Sequence, residues 1–167
     1  MTHPIHARPV FAFPIRVYWE DTDAGGIVYY ANYLKFFERA RTEWLRSLGL
    51  EQRTLRENTG GLFVVGETSV RFHHPARLDD ELLVTACIEE MGRASLIIAQ
   101  QAFLREGKGR QGTAGALQVG TATSGASAVA TSAGALLCEG TIRIGWVEAG
   151  NLKPARIPPT ILEALKR

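Results

Sequence analysis

The sequence predicts an α+β fold in which one long helix packs on an antiparallel sheet. Residues 15–20 are rich in β-forming side chains, residues 31–48 have a helical periodicity, and most of the later chain consists of long strand-like stretches. One helix between strands, followed by further strands, is typical of a helix layer on a single sheet. Alternating strands and helices, which would predict a parallel sheet, are absent from this pattern.

The helix is the clearest predicted element. Its apolar side chains recur at steps of three and four residues, and its charged side chains are mostly on the opposite face. The apolar positions are Tyr33, Phe36, Phe37, Ala40, Trp44, Leu45 and Leu48. Gly49 is placed to end the helix, because glycine readily adopts the left-handed conformation common just after a helix.

Long strand-like stretches follow the helix. They are residues 62–74, 82–91, 94–105 and 136–147. Gly92 and Arg93 separate the second stretch from the third and predict a tight hairpin connection. Residues 158–166 predict a short C-terminal helix that begins with proline. At this length we expect residues 1–167 to form a single domain.

Residues 107–134 have a composition unlike that of the rest of the chain. Seven glycines, seven alanines and seven serines or threonines account for 21 of these 28 residues. So little apolar bulk does not offset the entropy lost on ordering a segment. The composition therefore predicts a flexible loop between strands.

The overall charge and the cysteines exclude several classes of protein. A net charge of +2 suits anionic small molecules and is too small to predict binding of nucleic acid. No stretch approaches the ~18 apolar residues of a membrane span, and Pro4, Pro9 and Pro14 interrupt any signal-like run. We therefore expect a cytoplasmic protein. Cys87 and Cys138 lack metal or redox spacing and are expected to be reduced thiols, so no metal or cofactor is predicted.

An acidic segment with two glycines lies between the first strand and the helix. It reads DTDAGGIVYY over residues 21–30. The helix that follows offers unpaired N–H groups and a partial positive charge, which can hold a developing oxyanion. A carboxylate beside such a helix end can act as a nucleophile or base in acyl transfer. We expect this segment to carry the chemistry.

The two acids of this segment have two other interpretations. Asp21 can equally be a turn or capping residue with no chemical role. Asp21 and Asp23 also match the first two ligand positions of an EF-hand loop. The fifth and twelfth positions are Gly25 and Asn32, so the ligand set of a calcium loop is incomplete.

The segment and its surroundings resemble a known family. RVYWEDTDAGGIVYYANYLKFFERARTEWLRSLGL at residues 16–50 is similar to the 4-hydroxybenzoyl-CoA thioesterase family of hotdog proteins. The closest branch is that of the Tol–Pal-associated (YbgC-type) acyl-CoA thioesterases. The likeness continues through HPARLDDELLV, MGRASLIIAQQ and LKPARIPPTI. It implies a hotdog fold, with sheets paired between subunits, and hydrolysis of acyl-CoA to a free acid and CoA.

The resemblance also implies site residues. Asp23 falls on the catalytic aspartate of the family, which attacks the thioester or activates water. Tyr30 falls where a backbone N–H at the helix start polarises the thioester carbonyl. Gly25 and Gly26 would let the chain approach the acyl group closely.

The resemblance assigns CoA binding to the start of a later strand. Arg93, Ala94 and Ser95 match the strand with which the family binds CoA across a subunit interface, although Arg93 can also be an ordinary hairpin residue. We therefore expect a homodimer or homotetramer. Short aliphatic, long aliphatic and aromatic acyl groups all stay open as substrates, as does an acyl carrier protein in place of CoA.

One position departs from the pattern of the branch. Its members usually carry histidine where this chain has Tyr30. A role for the backbone amide survives that change, whereas proton transfer by an imidazole does not. His73 and His74 are adjacent on a predicted strand and point to opposite faces, so at most one of them can face the site.

Two other classes of function are alternatives to hydrolysis. A hydratase or dehydratase with the same fold needs a histidine beside an acid, and the segment around Asp23 contains no histidine. A non-catalytic module that binds acyl-CoA or acyl carrier protein, linked to Tol–Pal functions of the cell envelope, would not need the Asp23 carboxylate. Release of thiol from acyl-CoA discriminates between hydrolysis and binding alone.

Overall fold

The computed structural model describes residues 10–105 and 133–166. In chain order, the elements are β1 (Phe11–Arg16), a 3-10 turn (Trp19–Asp21), α1 (Asn32–Ser47), α2 (Gln52–Thr59), β2 (Gly61–Phe72), β3 (Glu81–Met91), β4 (Ser95–Arg105), β5 (Ala133–Glu148) and α3 (Pro159–Ala164). The strands form one antiparallel sheet in the order β1-β3-β4-β5-β2. The predicted α+β architecture is confirmed.

Helix α1 packs across one face of the sheet. Phe36, Phe37 and Ala40 are buried in one apolar cluster together with Val84 of β3 and Ala102 of β4. The predicted helix is confirmed to within one residue at each end. Gly49 has a φ of 76°, the left-handed conformation expected of the residue that ends the helix.

Two predicted boundaries were wrong, and one predicted segment is largely outside the described residues. The first strand covers Phe11–Arg16 rather than residues 15–20. Among the described strands β1 pairs with β3 alone, and an edge strand of this kind tolerates Pro14. The link between β3 and β4 has three residues instead of the predicted two. It is closed by a hydrogen bond from the N–H of Gly92 to the carbonyl of Ser95, at 2.9 Å. The predicted loop at 107–134 lies outside the described residues except for its last two, which begin β5.

Helix α2 was not predicted. Its eight residues bury only Leu55, so the segment has no apolar periodicity to detect. None of the helices in the described ranges is long and apolar enough to cross a membrane.

Strand β2 runs along the sheet edge opposite β1, and its middle residues, 66–69, are exposed. Near its start, Val64 is opposite Gly145 of β5, which in turn is opposite Ser95 of β4. At its end, the Phe72 ring lies 5.7 Å from the ring of Tyr33 in α1. Strand β2 therefore extends from the β3–β4 hairpin towards the start of α1.

Candidate active site

The loop that carries Asp23 is a short closed turn, which we call the Asp23 loop (residues 22–28). Thr22 and Val28 form an antiparallel bridge across its base. Inside it, the N–H of Asp23 donates to the carbonyl of Ile27 at 2.9 Å, and the N–H of Gly26 donates to the carbonyl of Asp23 at 3.0 Å. Gly26 has a φ of 72°, where glycine carries no steric cost. These backbone hydrogen bonds thus fix the position of the Asp23 Cα atom, from which the side chain extends.

The carboxylate of Asp23 is exposed and only partly engaged. Its Oδ1 accepts a hydrogen bond from the N–H of Gly25 at 2.8 Å, and no described residue donates to its Oδ2. A Cβ atom at Gly25 would lie 3.1 Å from this Oδ1, closer than most Cβ contacts. Gly25 therefore keeps space open beside the carboxylate, and one oxygen is available for chemistry.

Asp21 has a different role in the same segment. It is only 2% exposed, and its Oδ2 accepts from the N–H of Tyr18 at 2.9 Å. Its backbone carbonyl accepts from the N–H of Tyr29 at 2.8 Å and from Nδ2 of Asn32 at 3.1 Å. A buried side chain tied to the turn in this way has the capping role that was one of the interpretations of Asp21.

Asn32 is a site-supporting residue that sequence reasoning missed. It is the first residue of α1, it is buried, and its amide joins the helix start to the carbonyls of Glu20 and Asp21. These bonds fix the start of α1 relative to the segment that leads into the Asp23 loop. The available signal in the sequence was an asparagine where the helical periodicity begins.

The start of α1 leaves an amide available at Tyr30. Within the described chain, the backbone N–H of Tyr30 donates no hydrogen bond, whereas that of Asn32 donates to the carbonyl of Tyr29 at 2.8 Å. The side chain of Tyr30 is 62% exposed. A hydrogen bond with Tyr30 raises the pKa of the Tyr29 hydroxyl, with the proximity of the two phenols as a further cause. The N–H of Tyr30 therefore lies two residues before α1 and is available to a bound group.

Several aromatic rings lie close to one another near the start of α1. The Tyr30 ring lies 4.7 Å from that of Tyr29 and 6.3 Å from that of Phe72. Behind them, the buried Tyr33 hydroxyl accepts from the N–H of Ala76 at 3.1 Å, and burial raises its pKa, although that hydrogen bond opposes the shift. Aromatic side chains therefore cluster at the start of α1.

Neither His73 nor His74 is brought to the Asp23 loop by a described contact. His73 Nε2 lies 3.0 Å from Oε1 of Glu139. Glu139 follows Cys138, which is buried against α1, so Glu139 and the His73 ring beside it lie on the opposite face of the sheet. The described residues contain no cluster of side chains that could hold a metal ion.

Arg93, Ala94 and Ser95 lie at the other end of the sheet from Asp23. The Asp23 loop joins the segment just before β3 through a bridge between Ile27 and Arg77. The hairpin with Arg93 follows the 11 residues of β3, which separate the two ends by roughly 35 Å. The structure of one subunit therefore does not bring Arg93 or Ser95 to Asp23.

The fold and the site define a class of protein. Residues 17–165 match the family model of the thioesterase-like superfamily, and the chain belongs to that family. It is 35% identical to the acyl-CoA thioesterase YbgC of Haemophilus influenzae over 92% of this chain and 93% of that protein. It is 33% identical to the acyl-CoA thioester hydrolase YbgC of Escherichia coli O6:H1 over 95% of this chain and 97% of that protein. The resemblance recognised in the sequence is confirmed.

A solved structure supports the fold independently. The 4-hydroxybenzoyl CoA thioesterase from Pseudomonas sp. strain CBS-3 aligns with a TM-score of 0.73 at 18% identity, covering 95% of this chain and 99% of that one. At this identity the likeness concerns the fold alone. The predicted hotdog fold is confirmed at the level of one subunit.

Proposed function

We propose that this chain hydrolyses acyl-CoA thioesters, with Asp23 as the nucleophile or general base and the Tyr30 amide as the donor to the carbonyl. The observation that carries the proposal is the exposed Asp23 carboxylate, with one oxygen unengaged, in a turn that leads to the start of α1. The similarity to YbgC thioesterases over nearly the whole chain supports the same reaction.

Two routes give the same products from this geometry. As a nucleophile, the Asp23 carboxylate adds to the thioester carbon and CoA leaves as a thiolate; water then cleaves the mixed anhydride and restores the carboxylate. As a general base, Asp23 takes a proton from water while the oxygen of that water attacks. In both routes negative charge develops on the carbonyl oxygen, where the Tyr30 N–H and the α1 dipole would stabilise it.

We propose further that two copies pair through β2. The strand has 12 residues and an edge with no strand beside it in the described subunit, and such edges favour pairing with another chain. Antiparallel pairing of β2 with its own copy would place the hairpin end of one sheet at the Asp23 end of the other. Arg93 and Ser95 would then bind CoA for the site of the partner, in a homodimer or in a homotetramer built from two dimers.

Thiol release from acyl-CoA tests the reaction. A colorimetric thiol reagent with saturated acyl-CoA esters of increasing length, and with benzoyl-CoA, should report turnover by the wild-type protein. Spontaneous hydrolysis without protein is the blank. Binding of acyl-CoA without thiol release would instead favour a non-catalytic module. The same assay with acyl-loaded acyl carrier protein determines which thiol carrier is used.

A further inference from the structure

Three polar residues of β2 point away from α1 at the edge of the sheet. They are Glu67, Ser69 and Arg71, opposite Arg143, Thr141 and Glu139 of β5, and we call them the β2 polar row. Directly opposite residues share a face of a sheet. Glu139 follows Cys138, which is buried against α1, so the row lies on the face opposite the helix. All three side chains of the row are exposed.

The two charges of the row have weak partners within their own subunit. Oε2 of Glu67 lies 3.8 Å from Nε of Arg143, which is long for an ion pair, and the Glu67 side chain is 75% exposed. None of the described residues forms an ion pair with the Arg71 guanidinium. The Glu139 carboxylate, opposite Arg71, lies 3.0 Å from Nε2 of His73 instead. Both charges of the row therefore retain capacity for a further partner.

Two exposed apolar side chains flank the row on the other face of β2. Val65 and Phe72 are 57% and 48% exposed, and they are opposite residues of β5 that are buried on the helix side. An extra residue, Gly66, interrupts the pairing with β5 between Val65 and Glu67, and this bulge puts these two side chains on different faces. The edge of β2 thus has a charged face and an apolar face, and no strand of the described subunit covers it.

The order of these residues is self-complementary. When two copies of a strand pair antiparallel, a two-fold axis through Ser69 puts Glu67 of each copy opposite Arg71 of the other. If Gly66 is skipped as it is in the pairing with β5, Val65 of each copy is opposite Phe72 of the other. One register therefore gives two pairs of opposite charges and two apolar pairs.

The neighbouring registers lack this match. Directly opposite residues share a face, so the two-fold axis must pass through a residue rather than between two. An axis through Thr68 would put Glu67 opposite Ser69, and an axis through Val70 would put Glu67 opposite His73. Neither register forms a glutamate–arginine pair. Each of them also moves one sheet along the other by two residues, roughly 7 Å.

We infer that the β2 polar row selects both the partner strand and its register: it fits the same row of a second copy of this chain, with Glu67 of each subunit paired with Arg71 of the other. This inference rests on the pairing through β2 that accompanies the proposed function. With the β5 residues behind them, the charges alternate in sign across the interface in the order Arg143, Glu67, Arg71 and Glu139. Opposite charges attract at every step of this order, whereas another strand or register would place unmatched charges there.

The register matters for the proposed site. Arg93 would reach the Asp23 loop only across the interface, so a slip of roughly 7 Å would displace it from that loop by a similar distance. The two glutamate–arginine pairs would therefore hold the CoA contacts of one copy in place beside the carboxylate of the other.

Single cysteines test the register directly. Only a residue on the two-fold axis faces its own copy, at a Cα–Cα distance of about 4.5–5.5 Å that a disulfide can span. After mild oxidation, we expect Ser69→Cys to run as a covalent dimer on a non-reducing gel, and Thr68→Cys and Val70→Cys to run as single chains. The wild type, with Cys87 and Cys138, is the blank.

Two results of this experiment would overturn the inference. A covalent dimer of Thr68→Cys or Val70→Cys, without one of Ser69→Cys, would mean a different register. Absence of every crosslink from variants that sediment as dimers would mean that the copies pair through another surface.

An exchange of charges tests what the row recognises. Glu67→Arg and Arg71→Glu subunits each place like charges opposite one another when they pair with themselves. A mixed dimer of the two places two arginines opposite two glutamates. We expect each variant alone to have a dimer dissociation constant about ten-fold or more above that of the wild type. The two variants, unfolded and refolded together, should form mixed dimers in excess over the half expected by chance.

Native mass spectrometry of the refolded mixture counts the dimers. The excess of mixed dimers should disappear when the mixture is refolded in about 1 M salt, where the Debye length is only about 3 Å. Glu43→Arg with Arg46→Glu is the matched control. These residues form an ion pair within α1, so the same exchange there should give mixed dimers in the chance proportion. Chance proportions from the β2 variants at low salt would contradict the inference.

Thiol release separates this inference from the proposed function. A wild-type protein that hydrolyses acyl-CoA, while the Ser69→Cys crosslink and the excess of mixed dimers are both absent, would overturn the inference alone. A protein that shows both but releases no thiol from any acyl-CoA would overturn the proposed reaction and leave the inferred pairing in place.

Discussion

Replacement of Asp23 by asparagine separates its chemical role from its structural one. The only hydrogen bond to the carboxylate from the described residues is the one from Gly25 N–H to Oδ1, and an amide oxygen can accept it equally well. Because the side chain is exposed, we expect the free energy of unfolding to change by no more than about 0.5 kcal/mol. An amide cannot attack a thioester or deprotonate water. We therefore expect kcat to fall by about 10³-fold or more, on the order of 4 kcal/mol of transition-state stabilisation.

Asp21→Asn is the matched control for this prediction. The side chain is buried, and its Oδ2 accepts the N–H of Tyr18; asparagine would replace this hydrogen bond to a charged acceptor by a weaker one to a neutral amide. We expect a loss of about 1 kcal/mol or more in unfolding free energy and a smaller effect on rate. Urea unfolding and thiol release measure the two quantities for both variants. Hydrolysis by Asp23→Asn within a few-fold of wild type, or a larger rate loss in Asp21→Asn, would refute the assignment.

Three further changes test individual features of the structure. Gly25→Ala places a Cβ 3.1 Å from Oδ1 of Asp23, so kcat should fall by roughly ten-fold with little loss of stability. Turnover equal to that of the wild type would show that the added methyl group does not displace the carboxylate. Gly61→Ala places a Cβ against the indole ring of Trp146, and urea unfolding should show a loss of about 1–3 kcal/mol in unfolding free energy. Burial raises the pKa of Cys138 to about 12, so at pH 8 its thiolate is scarce. Mass spectrometry after iodoacetamide treatment should find Cys138 alkylated only in denatured protein, and rapid labelling of the folded protein would contradict this.

Sequence reasoning worked best where local pattern and tertiary packing agree. Helix α1 combines a clear apolar face with a glycine that takes the left-handed conformation after it, so both its span and its end were predictable. The first strand was misplaced because its edge position, which makes Pro14 acceptable, depends on pairing with a distant segment. Helix α2 was missed because one buried residue leaves no periodic signal.

The candidate site was predictable in its local part only. Asp23, Gly25, Gly26 and Tyr30 lie within eight consecutive residues, and a turn before a helix places them near one another by chain connectivity alone. The contact between the Tyr33 hydroxyl and the N–H of Ala76 joins residues 43 positions apart and depends on how α1 lies against the segment before β3. A tyrosine on the apolar face of the helix was visible in the sequence, but its partner was not.

The roughly 35 Å between the Asp23 loop and the hairpin bears on what one copy of this chain can do. A subunit alone offers a carboxylate and an amide at one end of its sheet, and Arg93 at the other. A two-fold axis through the middle of β2 would exchange these ends between copies, so one pairing of strands would supply the CoA contacts missing from each site. A variant that stays folded but monomeric should then lose turnover although Asp23 is intact. A monomer that sediments as one chain and still turns over acyl-CoA at the wild-type rate would contradict this account.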